Sequence, residues 1–261
     1  MDHPTSYARI RRADGVAATA SWLPDGTLVV DGRTVSPEDV TWLPPVVPTK
    51  VVCVGFNYRP HADEMSQDLP EEPLVFFKPP SALIAAGDEI VRPSPDVRRL
   101  DYEGELVVVM GRRARNVSEA DALDHVEGLT VGNDVTAREY QVPGSQWTQA
   151  KGYDTFAPLG PTVVRTQEWA GRRIETRLNG TVVQSSTTDR MIFSVPRIIC
   201  WVSAIMTLEP GDVIYTGTPA GVGPMADGDH VQVTVEGIGT LHNTVVAHER
   251  ALEPQALTAG A

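Results

Sequence analysis

The segment DYEGELVVVM (residues 101–110) carries the feature that decides the fold, an apolar, β-prone run that begins with two glutamates. Three consecutive valines, residues 107–109, are typical of a strand. Side chains two positions apart lie on the same face of a strand, so Glu103 and Glu105 are predicted to point the same way. Their like charges repel each other unless a cation lies between them.

A third carboxylate, Asp134, ends another apolar segment, GLTVGND (residues 128–134). Three carboxylates with water completing an octahedron form a hard-oxygen site suited to Mg²⁺ or Mn²⁺, and no Cys/His cluster in the sequence competes for zinc. The alternative is a solvated edge face, which is the commoner explanation of an isolated Glu-x-Glu pair. The apolar residues after Glu105 and the second acidic segment favour the metal site.

Short valine-rich segments bounded by Gly, Pro, Asn or Asp recur along the chain and predict a mostly β (α+β) fold. Two intervals are predicted to be helical. Residues 118–126 have Ser118 as the candidate N-cap, and residues 195–206 have Pro196 in the first turn.

The chain is predicted to have three parts. Residues 1–47 contain the reversal signals Pro24-Asp25-Gly26 and Asp31-Gly32 between β-prone segments, and form a small N-terminal β domain. Prolines follow at the junction, and a main domain extends over residues 48–250. Residues 251–261 are a polar, alanine-rich segment that is expected to form a flexible tail.

The composition describes a folded, acidic protein. Hydrophobic residues make up 41% and charged residues 21% of the 261 residues, and the formal net charge is −12. Nucleic-acid binding depends on lysines and arginines that neutralise phosphates, so this charge argues against a nucleic-acid partner. No signal-peptide core or membrane-length apolar run is visible, which predicts a cytoplasmic protein without a membrane partner. Cys53 and Cys200 lie in apolar segments and are expected to be reduced thiols.

A histidine and a glutamate follow the apolar run KVVCVG (residues 50–55). His61 and Glu64 are three residues apart, so their side chains can meet on one turn of helix, and the carboxylate can orient the imidazole as a general base. The alternative is a solvated surface turn, which is the more frequent explanation of such a pair on its own.

Lysine is scarce in this chain, with three lysines against nineteen arginines. Lys151 lies in a polar stretch, QWTQAKGYD (residues 146–154), where it is either a functional ammonium or part of a surface loop. The stretch TGTPAGVG (residues 216–223) follows a β-prone segment and contains three glycines. Its backbone amides could hold a carboxylate or an oxyanion, and a plain turn is the equally good alternative.

Together these segments resemble the fumarylacetoacetate hydrolase family. The resemblance runs from about Lys50 to Val246 and rests on a series of ordered blocks. They include GFNYRPHADE (55–64), DYEGELVVVM (101–110), GNDVTAREYQ (132–141), QWTQAKGYDTFAPLGP (146–161) and MTLEPGDVIYTGTPAGVG (206–223). The resemblance implies a mixed β-roll catalytic domain behind a small N-terminal domain, and a homodimer.

The resemblance also implies roles for individual residues. Glu103, Glu105 and Asp134 would bind Mg²⁺ or Mn²⁺. The catalytic residues would be His61, Glu64 and Lys151. The residues that hold the substrate or its oxyanion would be Tyr58, Arg138, Gln141, Gly217 and Thr218. One departure concerns Phe56, since many members have arginine at this position of the GFNY block, and the substrate is therefore not fixed by the resemblance.

The expected reaction is the cleavage of a carbon–carbon bond in a small 2-oxo or 1,3-dioxo acid, by hydrolysis of an acylpyruvate or by decarboxylation of an oxaloacetate-like acid. The chief alternative is isomerisation of a 2-hydroxy-diene-dioate in aromatic catabolism. A non-catalytic acid-binding β domain is a third possibility, but a binding module has no need of a proton-transfer pair such as His61 and Glu64.

Overall fold

The computed structural model of this chain describes residues 6–23, 25–64, 69–94, 96–142 and 144–247. The predicted tail, residues 251–261, lies outside these ranges. Strands dominate the described residues, and the prediction of a mostly β fold is confirmed. The strands are β1 (Ser6–Arg11), β2 (Ala17–Trp22), β3 (Leu28–Val30), β4 (Arg33–Val35), β5 (Thr41–Leu43), β6 (Val51–Gly55), β7 (Leu74–Lys78), β8 (Leu83–Ile84), β9 (Glu89–Val91), β10 (Leu100–Tyr102), β11 (Gly104–Met110), β12 (Val126–Asn133), β13 (Thr136–Ala137), β14 (Ala157–Val164), β15 (Arg173–Leu178), β16 (Thr181–Thr187), β17 (Val213–Tyr215), β18 (Gly223–Met225), β19 (His230–Val235) and β20 (Gly239–Val246).

The α-helices of the described residues are α1 (Arg59–Glu64), α2 (Thr148–Lys151) and α3 (Val195–Ile205). The predicted helix at residues 195–206 is confirmed as α3, where Ser194 caps the first turn by accepting a hydrogen bond from the Arg197 amide. The predicted α-helix at residues 118–126 is wrong, because only a 3₁₀ turn forms there, over Ala122–His125. The Asp121 amide donates to the Ser118 hydroxyl and carbonyl, and the Asp124 amide donates to the Asp121 carbonyl, so the turns close over three residues before strand β12 begins at Val126.

Most strands belong to one large twisted sheet with the order β4-β3-β2-β1-β14-β12-β11-β17-β6-β7, to which β5 and β8 add at β1 and β14. A five-stranded sheet, β16-β15-β19-β20-β9, and a three-stranded sheet, β13-β10-β18, pack around it. Strand β11 is central in the large sheet, between β12 and β17. Among the described residues, no helix is long and apolar enough to cross a membrane.

Strand β11 is buried on both faces, which explains its unbroken apolar sequence. Leu106 and Val108 pack in one cluster with Ile198 of α3 and with residues of the five-stranded sheet. Val107 and Val109 pack in a second cluster on the opposite face of the strand. Fully burying one such side chain stabilises the fold by roughly 1.5–3 kcal/mol. Glu103 and Glu105, at the start of this strand, are therefore held by a strand whose residues are all buried.

The first strands have a hydrophobic cluster of their own, formed by β1–β3 side chains such as Ile10 and Leu28. The predicted turn at Asp31-Gly32 joins β3 to β4, and both residues have positive φ values of 49° and 74°, as a two-residue type I′ hairpin requires. Strand β1 also pairs with β14 of the large sheet. The division into domains at residue 47 therefore stays a prediction, since the two parts share one sheet.

Candidate metal and active site

The site forms where several strands of the large sheet end at the same edge. Strand β11 begins at Gly104, directly opposite Asn133 at the end of the antiparallel strand β12. Glu103 and Asp134, the residues next to this pair, are therefore neighbours, and the Asp134 amide donates to the Glu103 carbonyl at 2.8 Å. Strands β6 and β17 run parallel to each other, so the segments that follow them reach the same edge.

The three carboxylates that the sequence singled out meet at this edge. One oxygen of each of Glu103, Glu105 and Asp134 lies within 4.8 Å of the others, and all three side chains are at most 5% exposed. In an octahedron with Mg–O bonds of about 2.1 Å, neighbouring ligands are about 3 Å apart and opposite ligands about 4.2 Å apart. The three residues thus fit a divalent cation with a small inward movement.

The two oxygens of Asp134 both lie beside buried ammonium groups. The Oδ2 atom accepts a hydrogen bond from Lys151 Nζ at 2.7 Å. The Oδ1 atom is buried and lies 2.7 Å from Lys78 Nζ, although the angles between the two groups are not those of a hydrogen bond. A carboxylate oxygen without a directed hydrogen bond is a suitable ligand atom for a hard cation.

Two buried lysines lie against the carboxylates. Lys151 Nζ, at the end of α2, also contacts Glu103 Oε2 at 3.0 Å. Lys78 Nζ lies 2.7 Å from Asp134 Oδ1, but its three protons are directed to the carbonyls of Val135, Lys151 and Phe156 at 2.7–2.9 Å. Lys78 therefore fixes the backbone around Asp134 and Lys151, while Lys151 faces the site.

Arginine side chains complete the cationic shell on the other side of Glu103. Arg138 Nη2 donates to Glu103 Oε1 at 2.5 Å, and Arg138 Nε donates to Asp101 at 2.8 Å. The remaining nitrogen, Nη1, donates to Gln141. Asp101 also accepts a hydrogen bond from Arg99 Nε at 2.9 Å. This second bond fixes the Asp101 carboxylate, which in turn orients Arg138.

Glu103 and Glu105 have opposite electrostatic surroundings. Burial alone would raise the pKa of Glu103, but the charges of Lys151, Arg138 and His61 outweigh it and hold that pKa below its usual range. Burial, Asp134 and Glu103 together raise the pKa of Glu105 well above its usual range. The Gly217 amide, which donates to Glu105 Oε2 at 2.7 Å, offsets only part of this effect.

His61 and Glu64 meet on one turn of helix α1, as their spacing predicts. The His61 Nδ1 atom lies 3.2 Å from Glu64 Oε2, and the imidazole is 4% exposed. The Gly221 amide donates to both Glu64 oxygens at 3.1 and 3.2 Å, which fixes the carboxylate from the TGTPAGVG segment. The glutamate therefore orients a buried imidazole whose ring borders the site.

One narrow cavity of about 10 Å³ connects most of these groups. The residues that line it are Val54, Gly55, Phe56, His61, Phe76, Glu103, Asp134, Gln141, Trp147, Lys151 and Thr218. Thr218 is positioned by Gln184, whose Nε2 atom donates to the Thr218 hydroxyl at 2.9 Å, and the hydroxyl donates to the Gly104 carbonyl at 3.0 Å.

The other predicted site residues lie behind the cavity wall. Arg138 and Glu64 contact the lining residues Glu103, Gln141 and His61 directly. Glu105 clusters with Glu103 and Asp134, and the Gly217 amide holds Glu105. Tyr58 is fully buried, and its hydroxyl has no hydrogen-bond partner among the described residues. Burial first, and then the charge of Glu105, raises the pKa of this hydroxyl. A direct contact between Tyr58 and substrate has no support from this position.

Sequence reasoning assigned no role to Lys78, Asp101, Thr136 or Gln184. The scarcity of lysine, which drew attention to Lys151, applies equally to Lys78 and could have found it. The third lysine, Lys50, pairs with Asp212 outside the site. Asp101 immediately precedes the Glu-x-Glu pair, but Thr136 and Gln184 carry no sequence signal and are brought to Glu103 and Gly104 only by the fold.

The comparisons with known proteins agree with this geometry. The family described as "Fumarylacetoacetate (FAA) hydrolase C-terminal" matches residues 50–246. A mitochondrial oxaloacetate tautomerase of Bos taurus is 44% identical over 221 residues, which cover 80% of this chain and 70% of the bovine protein. A 5-carboxymethyl-2-hydroxymuconate delta-isomerase structure from Mycobacterium smegmatis is 43% identical, with a TM-score of 0.86 over 94% of this chain and 100% of that one.

A third relative is a fumarylpyruvate hydrolase from Pseudomonas aeruginosa, whose structure contains Mn²⁺ and pyruvate. It is 35% identical, with a TM-score of 0.73, and the match covers 78% of this chain and 91% of that chain. Hydrolase, isomerase and tautomerase activities thus occur among proteins similar to this one. On the family match over three-quarters of its length, the chain belongs to the fumarylacetoacetate hydrolase family of enzymes.

Proposed function

We propose that this protein is a Mg²⁺- or Mn²⁺-dependent enzyme that cleaves a carbon–carbon bond in a small 2-oxo or 1,3-dioxo acid. The observation that carries the proposal is that one cavity joins two of the three clustered carboxylates, a buried lysine and a buried histidine oriented by a glutamate. A binding module would need the first two features but not the third.

Charge supports an acidic ligand. The described residues of the site contain five carboxylates and four cationic side chains: Glu64, Asp101, Glu103, Glu105 and Asp134 against Lys78, Arg99, Arg138 and Lys151. A divalent cation held by Glu103, Glu105 and Asp134 would therefore change an excess of one negative charge into an excess of one positive charge. A small anionic acid would neutralise this excess, although the whole chain is strongly acidic.

The cation, when bound, supplies a Lewis acid and a template for the carboxylate and keto oxygens of the acid. Lys151 and Thr218 lie on the cavity wall, where the ammonium and the hydroxyl can stabilise negative charge on a substrate oxygen. Gln141 lines the same wall and is held by Arg138, which suits it to contact the substrate carboxylate. His61, oriented by Glu64, moves the proton.

In the hydrolytic reaction, a water molecule loses a proton to His61 and adds to the carbonyl carbon farther from the carboxylate. The bond between that carbon and the neighbouring methylene carbon then breaks. The methylene carbon takes the proton from the protonated His61, so that one carboxylic acid and one shorter 2-oxo acid leave. Decarboxylation of an oxaloacetate-like acid needs no water and uses the same stabilised carbanion.

The second candidate is isomerisation or tautomerisation, which requires a proton shuttle but neither water nor the loss of carbon. Two similar proteins favour it by their names, the bovine oxaloacetate tautomerase and the mycobacterial delta-isomerase. His61 and Lys151 would then move a proton between carbon and oxygen within one bound acid.

Three measurements on the same protein separate these reactions. With Mg²⁺ present, we expect an acylpyruvate to yield pyruvate or oxaloacetate to yield carbon dioxide. His61→Ala should reduce acylpyruvate cleavage by roughly 10²–10⁴-fold, because a general base is lost. If solvent deuterium enters the acid while neither pyruvate nor carbon dioxide forms, the isomerase candidate replaces the proposed one.

The matched control is His242→Ala, which removes an exposed histidine of strand β20 outside the cavity. This variant should retain full activity. Equal losses in both histidine variants would show that the effect of His61→Ala does not come from the site.

A further inference from the structure

The cavity has two chemically different ends. Glu103, Asp134 and Lys151 form the charged end. Val54, Phe56, Phe76 and Trp147 form the apolar end, which borders the charged end where Lys151 meets Phe76, and none of these four residues carries a charge. The proposed metal chemistry uses only the charged end, so the apolar end is free to recognise another part of the substrate.

The three aromatic rings form a continuous wall. Phe56 packs against Trp147 with ring centroids 6.1 Å apart, and Trp147 packs against Phe76 at 5.3 Å, both edge to face. Both ends of this wall contact residues that are proposed to act in the reaction. The Phe56 and His61 rings are stacked with centroids 5.9 Å apart, and Lys151 Nζ lies 5.1 Å from the Phe76 centroid. A group packed on the rings is therefore held beside the proton-transfer pair.

The backbone at two of these aromatic residues is strained. Phe56 has φ 54° and Trp147 has φ 57°, in the left-handed region that bulky side chains rarely occupy. Residues in this strained conformation cluster at functional sites. Glycine would relieve this strain at either position but would remove the ring. The strain thus indicates that the rings themselves are needed at the cavity.

A substrate with a second carboxylate would fit this wall poorly. The cations of the site, Lys78, Lys151 and Arg138, are engaged at the charged end with Asp134, Glu103 and Asp101. Lys151 and His61 border the rings, but Lys151 is paired with Glu103 and Asp134, and His61 is paired with Glu64. A carboxylate placed on the rings would therefore lose its hydration beside groups that are already engaged, which is costly. An apolar group at the same place would gain the free energy of burial.

The apolar end of the site cavity adjoins a larger cavity. The site cavity of about 10 Å³ has room for about one water molecule and is small for a ligand pocket. Phe76 and Trp147 also line a second, more open cavity of about 400 Å³ between strand β7 and residues 144–148. A substituent that passes along the rings therefore points toward further space.

We propose that Phe56, Phe76 and Trp147 form a subsite for an apolar, unsaturated or aromatic substituent, so that the preferred substrate is a 2,4-dioxo acid with a hydrocarbon end in place of a second carboxylate. This inference rests on the proposed function and names its substrate class. Phe56 is the specificity-determining residue, because its ring connects the wall to His61.

The test uses two matched acids, crotonylpyruvate, which ends in a methyl group, and fumarylpyruvate, which has a carboxylate at that position. The wild type with Mg²⁺ should have at least a tenfold higher kcat/KM for crotonylpyruvate, within the range of discrimination that one pocket contact gives. Phe56→Arg should reverse the order by lowering kcat/KM for crotonylpyruvate about tenfold and raising it for fumarylpyruvate. Equal use of both acids by the wild type, or an unchanged ratio in Phe56→Arg, would overturn the inference.

Two controls accompany this experiment. Phe56→Leu keeps an apolar side chain and should keep the preference for crotonylpyruvate. Val182→Arg introduces the same charge at an exposed position of β16, away from the cavity, and should leave the ratio unchanged. If the wild type turns over neither acid, the hydrolytic form of the proposed function fails. The binding of both acids, measured by quenching of tryptophan emission, still decides the inference: tighter binding of fumarylpyruvate would refute it.

Discussion

Glu103 and Glu105 show how neighbouring residues of one type acquire different properties. Both are buried and two positions apart, but Glu103 contacts Lys151 and Arg138, whereas Glu105 faces two other carboxylates and one backbone amide. The pKa of Glu103 is lowered and that of Glu105 is raised. In the metal-free protein, Glu105 therefore keeps its proton above the usual glutamate range.

This difference predicts a pH-dependent metal affinity. A divalent cation must displace the Glu105 proton, so binding should release a proton. The affinity for the cation should rise with pH between the usual glutamate pKa and the raised pKa of Glu105. Titration calorimetry with Mn²⁺ in two buffers of different ionisation enthalpy measures that proton. Without metal, the native state binds more protons than the unfolded state, so stability should fall as pH rises through the same range.

Glu105→Gln is the corresponding variant. It removes the titrating group, so we expect weaker Mn²⁺ binding without proton release, and a metal-free stability that no longer falls with pH over this range. Binding of Mn²⁺ to the wild type without proton release at any pH would contradict the raised pKa.

At the scale of elements, the conformation of the segment after strand β17 depends on a glycine, Gly217. Gly217 has φ +99°, and a Cβ atom there would lie 2.7 Å from Asn57 Cβ. Gly217→Ala should therefore destabilise the protein by roughly 1–3 kcal/mol and weaken Mn²⁺ binding, because the amide that holds Glu105 is displaced. Denaturant unfolding and metal titration measure the two effects.

Gly228→Ala provides the comparison. Gly228 has φ +90°, but nothing lies within 4 Å of the position of its Cβ atom. This variant should show the backbone cost alone and keep the metal affinity of the wild type. If the two alanine variants bind Mn²⁺ equally, the Gly217 amide has no role in shaping the site.

Some elements of the fold can be predicted from local sequence, and others cannot. Strand β11 and helix α3 follow from local signals, an apolar run and a capping serine before a proline. Helix α2 is only four residues long and is preceded by Trp147 in a left-handed conformation, which no periodicity reveals. Lys78 reaches carbonyls 57, 73 and 78 residues away, and such long-range contacts have no local sequence pattern.

At the scale of the whole molecule, the large sheet brings distant segments to one edge. The sequence predicts the Glu-x-Glu pair, Asp134, His61 and Lys151 as site residues. It does not predict the aromatic wall, since Phe56, Phe76 and Trp147 come from three separate segments and only Phe56 stands out, as a departure from the family pattern. The domain boundary at residue 47 and the flexible tail remain predictions.

The homodimer implied by the resemblance is also a prediction for the whole molecule. Strand β7 lies at one end of the large sheet and exposes Leu74 and Phe77, by 40% and 46%. Such an apolar edge is suited to pairing with a second copy. We expect a dimer in light scattering at micromolar concentration, and dissociation in Phe77→Asp but not in Val182→Asp. A wild-type monomer at these concentrations would refute the prediction.

The central claim is that Glu103, Glu105 and Asp134 hold a catalytic divalent cation. The most direct test is an anomalous difference map from crystals grown with Mn²⁺, collected near the manganese absorption edge. The account predicts one strong peak within bonding distance of all three carboxylates, and its loss in Asp134→Ala. A map at saturating Mn²⁺ with no peak at these residues, or a peak that persists unchanged in Asp134→Ala, would contradict it.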